Sequence, residues 1–339
     1  MKVKYSHFIV LVLLIALLVA ACGGGTGNVA SPEKDQIVVF AAYATSVEEP
    51  WDGVIHTALL AAQSEGRIQY SWKDAVGYAG DMERILREAA GSDNPPQIIF
   101  GDAFGNEEAV RAVAAQYPKI AFVFGSGLGP AEPNFSVFDN WVHEPAYLSG
   151  LVAGKLTQSG VVGVVAGFPV PEVNRIVNAF IEGAREVNPD VKVKVEFINS
   201  WFDPPAAKQV AEAQIAAGAD MIFAERFGAH EAAQEKGLLA FGNMSDQNEL
   251  APDTIVTGPV WHMEPTVNYI IAQVTAGVYT AQDLKDFSSM AKGGASLAPF
   301  HGLENQLPAD LKQLIVTRQN EIASGRFRVN IDENLPVSD

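Results

Sequence analysis

Tryptophans are the most prominent residues that could contact a ligand. Trp51, Trp201 and Trp261 each follow a predicted strand closely, in segments expected to face the crevice at the carboxyl edge of a sheet. Ligands of open α/β sheets bind at that edge. An indole that stacks on a flat ring contributes about 1–3 kcal/mol to binding. The positions therefore indicate a site for a planar ring, with ordinary core or rim packing as the alternative.

Polar side chains that could read the edge of such a ring lie near these tryptophans. The candidates are Asp52 beside Trp51, Asp139 and Asn140 before Trp141, Glu225 and Arg226 after a predicted strand, and Asp246 after another. Trp141 itself lies where the chain is predicted to cross from its first half to its second. Helix capping is the alternative role for such acids, and we favour it for Asp203 because Pro204 follows directly.

The motifs of common enzyme classes are missing from the sequence. Ser126 between two glycines lacks the spacing of a nucleophile elbow, and its glycine-rich loop is followed by Pro130 where a dinucleotide loop would begin a helix. The pairs His143-Glu144 and His230-Glu231 have no second histidine at metal-ligand spacing. We therefore expect neither catalysis nor a metal or other cofactor.

Short apolar runs alternate with amphipathic stretches, which predicts buried parallel strands covered by helices. The predicted strands are Ile37–Ala42, Gln97–Phe100, Ile120–Phe124, Val161–Ala166, Val191–Ile198, Met221–Ala224, Leu238–Phe241 and Thr254–Thr257. The predicted helices are Val173–Val187, Ala206–Ala217, Glu264–Ala276 and Pro308–Ser324. Because the series starts twice, at Ile37 and at Val161, we expect an α/β protein of two lobes, each a doubly wound parallel sheet.

The beginning of the chain has the composition of an export signal. Lys2 and Lys4 precede an apolar run from Phe8 to Ala21, which is too short to span a membrane comfortably. The small residues before Cys22 resemble the lipobox of bacterial lipoproteins, in which the cysteine is acylated and anchors the protein. We expect a signal peptide at 1–21, a flexible tether at 22–36 and a location on the extracytoplasmic face of the membrane.

The folded part must be stabilised by packing, since Cys22 is the only cysteine. A formal net charge of −17 disfavours binding to nucleic acid or to anionic lipid. The length allows two domains. We expect one lobe at 37–140 plus about 259–295, and the other at 141–258 plus about 296–328.

Three segments resemble the motifs of one protein family. Glu144–Gly154 is similar to its Glu-x-Ala-Tyr-Leu-x-Gly-x-x-Ala-Gly helix, Phe180–Pro189 to Phe-x-x-Gly-Ala-x-x-Val-Asn-Pro, and Gly218–Ile222 to Gly-Ala-Asp-Val-Ile. The chain is thus identified as a member of the basic membrane protein family of transporter-linked substrate-binding lipoproteins, which includes purine-nucleoside receptors. The resemblance implies a two-lobed periplasmic-binding-protein type I fold that closes on its ligand, with a membrane permease and its ATPase as partners. We expect a monomer.

The same resemblance implies roles for the site residues. The two ring-stacking phenylalanines of the family correspond to Trp51 and Trp201, and Asp52 stands at the position of an asparagine. Relatives that bind nucleosides carry an acid and a lysine near the ribose, where this chain has Met244 and Trp261. Sugar hydroxyls buried there would lack partners, at about 1–3 kcal/mol each. This difference favours a free base as the ligand.

We therefore predict a receptor that holds a purine-type, adenine-like nucleobase between Trp51 and Trp201. A receptor for a nucleoside or another aromatic heterocycle is the first alternative. A periplasmic nucleoside hydrolase would need a cluster of acids at the sugar, and Met244 argues against it. A sensor protein that presents its ligand to a signalling partner is a third possibility.

Overall fold

Two parallel sheets form the frame of the protein in a computed structural model that describes residues 36–339. The first sheet contains β1 (Ile37–Ala42), β2 (Ile68–Lys73), β3 (Ile98–Asp102), β4 (Ala121–Gly125) and β5 (Phe135–Phe138). The second contains β6 (Val161–Ala166), β7 (Lys192–Phe197), β8 (Met221–Ala224), β9 (Leu239–Phe241) and β10 (Ile255–Thr257). Their strand orders are β2-β1-β3-β4-β5 and β10-β9-β8-β6-β7. A separate antiparallel pair joins β11 (Pro259–Trp261) to β12 (Ala295–Leu297).

Helices connect most of the consecutive strands and cover the sheets. Those in the first half are α1 (Pro50–Ser64), α2 (Asp81–Ala90), α3 (Glu107–Gln116) and α4 (His143–Leu156). Those in the second half are α5 (Pro171–Val187), α6 (Pro204–Ala216), α7 (Ala229–Glu235), α8 (Glu264–Ala276) and α9 (Ala309–Ala323). Helices α1, α5, α6 and α8 each have proline in the first turn, where no backbone donor is needed.

Helices α4 and α5 pack with their backbones in direct contact, and glycines make this possible. A Cβ atom on Gly150 would lie 2.0 Å from the carbonyl oxygen of Phe180. One on Gly183 would lie 2.0 Å from the carbonyl oxygen of Tyr147. Because real Cβ atoms do not approach oxygen so closely, larger residues at either glycine would push the helices apart.

The chain returns after β11 to cover outer strands of both sheets. The Val137 amide donates to the Gln282 carbonyl at 3.0 Å, so this segment pairs along β5. Further on, the Asp339 amide donates to the Val193 carbonyl at 3.0 Å and lies beside β7. An edge strand covered in this way offers fewer free backbone groups to another chain.

The predicted α/β fold with two parallel sheets is confirmed. Strands β1, β6 and β8 and helix α8 have the predicted bounds, whereas β2, β5, β11 and β12 have no counterpart among the predicted strands. Which segments move together as lobes stays a prediction. The predicted signal peptide, the lipidated Cys22 and the tether up to residue 35 lie outside the described residues. Within 36–339, no helix is long and apolar enough to cross a membrane.

Candidate ligand-binding site

A small cavity lies where the carboxyl ends of strands from both sheets meet. Its walls are Thr45, Glu49, Trp51, Asp52, Tyr78, Asp102, Phe104, Ser126, Glu172, Trp201 and Arg226. They follow β1 to β4 in the first half, and β6 to β8 in the second.

Trp51 forms an aromatic wall on the side of the first sheet. Its ring stacks on Phe138 with centroids 6.0 Å apart and an interplanar angle of 15°. Trp261 packs against it at 5.1 Å. Gly125 leaves the room for this ring, because a Cβ atom there would lie 2.0 Å from Cη2 of Trp51. The indole is thus held from behind, and its Nε1 has no hydrogen-bond partner among the described residues.

Trp201 forms the wall on the side of the second sheet. It meets Phe104 edge-on, with centroids 5.0 Å apart at 89°, and contacts Phe168 at 4.8 Å. The guanidinium carbon of Arg226 lies 5.4 Å from the Trp201 ring centroid. Since Phe104 follows β3, elements of both sheets already meet around Trp201.

Arg226 is buried where the two halves meet, and all three of its guanidinium nitrogens donate hydrogen bonds. Its Nη2 and Nε donate to the Glu225 carboxylate at 2.7 and 3.0 Å. Its Nη1 donates to the Trp201 carbonyl at 3.1 Å and to Glu49 at 3.3 Å. Glu49 also caps α1 by accepting from the Trp51 amide at 2.9 Å. The positive charge of Arg226 is therefore shared by carboxylates from both halves.

Asp52 is a buried acid of the cavity, and only one of its two carboxyl oxygens has hydrogen-bond partners among the described residues. Its Oδ2 accepts from the Thr45 hydroxyl at 2.5 Å and from the Thr45 amide at 3.1 Å. Its Oδ1 has no hydrogen-bond partner among residues 36–339. Burial, and next the charge of Glu49, raise the pKa of Asp52 to about 8. An unpaired buried oxygen of this kind is free to form a hydrogen bond with a ligand.

Two further acids belong to the same walls. Asp102 accepts from the Phe104 amide at 2.9 Å, and burial together with the charge of Asp52 holds its pKa well above the usual range. Glu172, at the start of α5, accepts from the Asn140 side-chain amide. Burial, and next the charge of Asp139, raise the pKa of Glu172 to about 8.

The structure brings four of the predicted site residues into the cavity walls: Trp51, Asp52, Trp201 and Arg226. Glu225 lies behind Arg226, and its carboxylate also accepts from the Gly167 amide at 2.9 Å. Glu225 therefore holds Arg226 and the loop after β6 in place.

Asp139, Asn140 and Trp141 lie outside the cavity, where they surround Arg175. The Arg175 guanidinium donates to the Asp139 carboxylate and the Asn140 carbonyl, both at 2.6 Å. It also lies 4.1 Å from the Trp141 ring centroid. These residues hold together the connection between β5 and α4, and only Asn140 reaches a wall residue, through Glu172.

Met244, Trp261 and Asp246 also lie outside the cavity walls. Met244 is buried and accepts from the Trp261 amide through its carbonyl at 2.9 Å. The Trp261 Nε1 donates to Ser288 at 3.0 Å. Asp246 pairs with His301 at 2.7 Å near the surface. Contact of any of the eleven predicted residues with a ligand stays a prediction.

Sequence reasoning missed seven wall residues: Thr45, Glu49, Tyr78, Asp102, Phe104, Ser126 and Glu172. Asp102 could have been predicted from the sequence. It is a polar residue two positions past the predicted end of a buried strand, and such a residue lies at the carboxyl edge of the sheet. Ser126 carries no such signal, because glycines on both sides of a residue are also typical of a turn. Within 36–339, no group of histidines, cysteines and acids could hold a metal ion.

A sequence profile of the Bmp family, described as PnrA-like ABC transporter substrate-binding proteins, matches residues 36–286. The chain belongs to the Bmp family. The family predicted from the three motifs is therefore confirmed, and this Bmp protein is an ABC transporter substrate-binding protein.

Two relatives that are named for a ligand are similar to this Bmp protein over long stretches. A purine-binding protein of Brucella abortus is 32% identical over 263 residues, which cover 77% of this chain and 73% of the relative. A putative ABC transporter glucose-binding protein of Haloferax volcanii is 36% identical over 200 residues, covering 57% of this chain and 50% of the relative.

Solved structures share its fold. An ABC transporter solute-binding protein of Aeropyrum pernix K1 superposes with a TM-score of 0.74 at 18% identity, covering 87% of this chain and 94% of the other. A solute-binding protein of Conexibacter woesei gives a TM-score of 0.70 at 18% identity, over 87% of this chain and 99% of the other. At these identities the likeness concerns the fold alone.

Proposed function

We propose that this Bmp protein is the receptor of an ABC importer and binds a purine-type, adenine-like nucleobase between its two sheets. The observation that carries the proposal is the pair of indole walls, Trp51 and Trp201, supplied by opposite halves to one small cavity. Two such walls suit the two faces of a flat ring. The purine-binding relative from Brucella abortus supports this class of ligand.

A base fits the cavity better than a nucleoside. Trp261 fills the space behind Trp51, and its indole N–H is already bonded to Ser288. Met244 is 1% exposed and offers a ribose no hydrogen bond from its side chain. Both residues lie behind the cavity walls, so neither side chain supplies a partner for the sugar hydroxyls of a ligand held in the cavity. A nucleoside or another aromatic heterocycle is the alternative ligand.

Binding without chemical change is the second part of the proposal. The buried acids of the cavity either hold Arg226 and the α1 N-terminus or accept bonds from Thr45, the Phe104 amide and Asn140. In the closed cavity, ligand binding energy would stabilise the arrangement that the permease and its ATPase recognise. Incubation with inosine should release no ribose, and released ribose would contradict this part.

Export and anchoring form the third part. The protein is proposed to be a monomer on the extracytoplasmic face, held by acylated Cys22. Replacing Cys22 with serine should move the protein from the membrane fraction to the soluble fraction of cells that export it. Mass spectrometry of the unsubstituted protein should show two acyl chains added at Cys22.

Calorimetric titration tests the ligand. We expect adenine to bind more tightly than adenosine, and glucose not to bind. Trp51→Ala and Trp201→Ala should each weaken adenine binding by about fivefold to 150-fold, the equivalent of about 1–3 kcal/mol per stacked ring. Trp72→Ala is the matched control, because Trp72 is 42% exposed and lies outside the cavity walls. Nucleosides that bind better than every base would overturn the choice of a base.

A further inference from the structure

An outer depression borders the ligand cavity beside the loop that joins β2 to α2. Its walls include Asn199 and Phe202 from the second half, and the exposed side chain of Asn199 shows that the depression lies at the surface. Thr45, Tyr78 and Trp201 line both the depression and the cavity. These three residues therefore stand between a ligand in the cavity and the solvent.

Two of the three residues are held firmly by their neighbours. The Thr45 hydroxyl and amide both donate to the Asp52 carboxylate, at 2.5 and 3.1 Å. Trp201 packs between Phe104 and Phe168, with ring centroids 5.0 and 4.8 Å away. Moving either residue away from the cavity would break these contacts.

Tyr78 is the least restrained of the three. The residue is 46% exposed although it also lines the cavity. Its ring meets Phe104 edge-on, with centroids 6.3 Å apart at 84°, and lies over Gly105, where a Cβ atom would be 2.7 Å from Cδ1 of the tyrosine. The Tyr78 hydroxyl has no hydrogen-bond partner among residues 36–339. Its side chain can therefore turn into the depression without breaking a hydrogen bond.

The loop that carries Tyr78 is anchored up to Gly77 and is less restrained beyond it. The Gly77 amide donates to the Ala44 carbonyl at 2.9 Å. Among the described residues, no partner accepts a hydrogen bond from the backbone amides of 78–80. The φ angles of Gly77 and Gly80 are +73° and +98°, in the region that glycine adopts readily. Because loops move within nanoseconds to microseconds and whole domains within microseconds to milliseconds, this short segment should move more often than the two halves separate.

We infer that Tyr78 is a gate through which a flat ligand enters and leaves the cavity without separation of the two halves. The inference rests on the proposed function and adds the route of the ligand and the residue that controls it. With the ring turned into the depression, an opening forms between Thr45 and Trp201. A base can pass such an opening edge-first, whereas the sugar of a nucleoside lies out of the plane of the base and needs a wider one.

The rates of adenine exchange on the purified protein test the gate. Release is followed by chasing bound radiolabelled adenine with an excess of unlabelled adenine, and calorimetry gives the dissociation constant, so their ratio gives the association rate constant. Tyr78→Ala removes the ring and should raise both rate constants by at least about fivefold. Loss of an ordinary wall contact would instead change mainly the dissociation rate constant. Tyr78→Phe keeps the ring and should leave both constants close to those of the unsubstituted protein.

A larger side chain gives the opposite test, and an aromatic residue elsewhere gives the control. Tyr78→Trp should lower both rate constants by about threefold or more. Trp72→Ala should leave them unchanged, because Trp72 is similarly exposed, at 42%, but lines neither the cavity nor the depression. An association rate constant that is the same in Tyr78→Ala, Tyr78→Trp and the unsubstituted protein would overturn the gate while leaving a purine receptor in place. If no purine binds, the proposed function fails, and the gate fails with it.

Discussion

Replacing Gly125 with alanine should damage the ligand site without touching the ligand. Gly125 is the last residue of β4, directly beside the ring of Trp51. An added Cβ atom would lie 2.0 Å from Cη2 of Trp51 and 2.9 Å from Cε2 of Phe138. Because Phe138 and Trp261 already pack against the indole, the ring can avoid the new methyl group only by moving out of its position.

Gly125→Ala should lower both the stability of the fold and the affinity for the ligand. Overpacking of a core by one methyl group destabilises a protein by about 1–3 kcal/mol. Loss of one stacking wall should weaken binding by about fivefold to 150-fold. Urea unfolding followed by circular dichroism measures the first loss, and calorimetric titration with adenine measures the second. Gly302→Ala is the control, because a Cβ atom there would meet no heavy atom within 4 Å.

A double variant distinguishes this explanation from general damage to β4. Trp51→Phe removes the Cη2 atom with which the new methyl group collides. Gly125→Ala combined with Trp51→Phe should therefore be more stable than Gly125→Ala alone. A collision between the new methyl group and Trp51 is ruled out if Gly125→Ala unfolds at the same urea concentration as the unsubstituted protein, or if Trp51→Phe restores no stability to Gly125→Ala.

Three further predictions concern stability. Arg226→Met should lower the free energy of unfolding by about 3–5 kcal/mol in urea titrations, because it leaves the Glu225 charge buried without its cation. Gly183→Ala should lower it by about 1–3 kcal/mol, because the new Cβ atom would lie 2.0 Å from the Tyr147 carbonyl oxygen. The ligand-free protein should lose stability as the pH rises from 3.8 to about 8, since folded Asp52 keeps its proton over that interval and the unfolded chain does not.

Each of these three stability predictions has a control variant or a result that would contradict it. Lys208→Met removes a solvent-exposed ion pair with Glu235 and should leave the free energy of unfolding nearly unchanged. An equally small effect of Arg226→Met would contradict the prediction for the buried pair. Gly302→Ala again serves as the control for Gly183→Ala, and equal melting temperatures for the two would show that α4 and α5 tolerate separation. Asp52→Asn should make stability less dependent on pH, and an unaltered dependence would exclude Asp52 as its source.

Much of the fold was predictable because it depends on local patterns. Strands β1, β6 and β8 are unbroken apolar runs between polar segments, so their ends could be located in the sequence. The positions of Trp51 and Trp201 followed from those ends, because parallel strands present their carboxyl ends to one edge of a sheet. Strand β5 was missed, since the four-residue run Phe135–Phe138 includes a serine and follows a loop without a helix.

The remaining site residues depend on contacts between distant segments. Nothing near Asp139, Asn140 and Trp141 indicates that Arg175, on another helix, gathers them away from the cavity. Glu172 follows Pro171 at a helix start, where an acid usually serves the helix dipole. Its place in the cavity depends on how the second sheet faces the first, which no local pattern encodes.

The positions of the tryptophans should allow ligand binding to be followed by indole fluorescence. Four of the five indoles lie in or near the cavity or the connection between the sheets, and only Trp72 is largely exposed to water. Indole fluorescence responds to the polarity and to the neighbours of the ring, so a base stacked on Trp51 and Trp201 would quench or shift the emission. Trp72→Phe would remove the solvent-exposed background. The protein thus contains its own label-free optical sensor, suited to stopped-flow measurement of ligand capture.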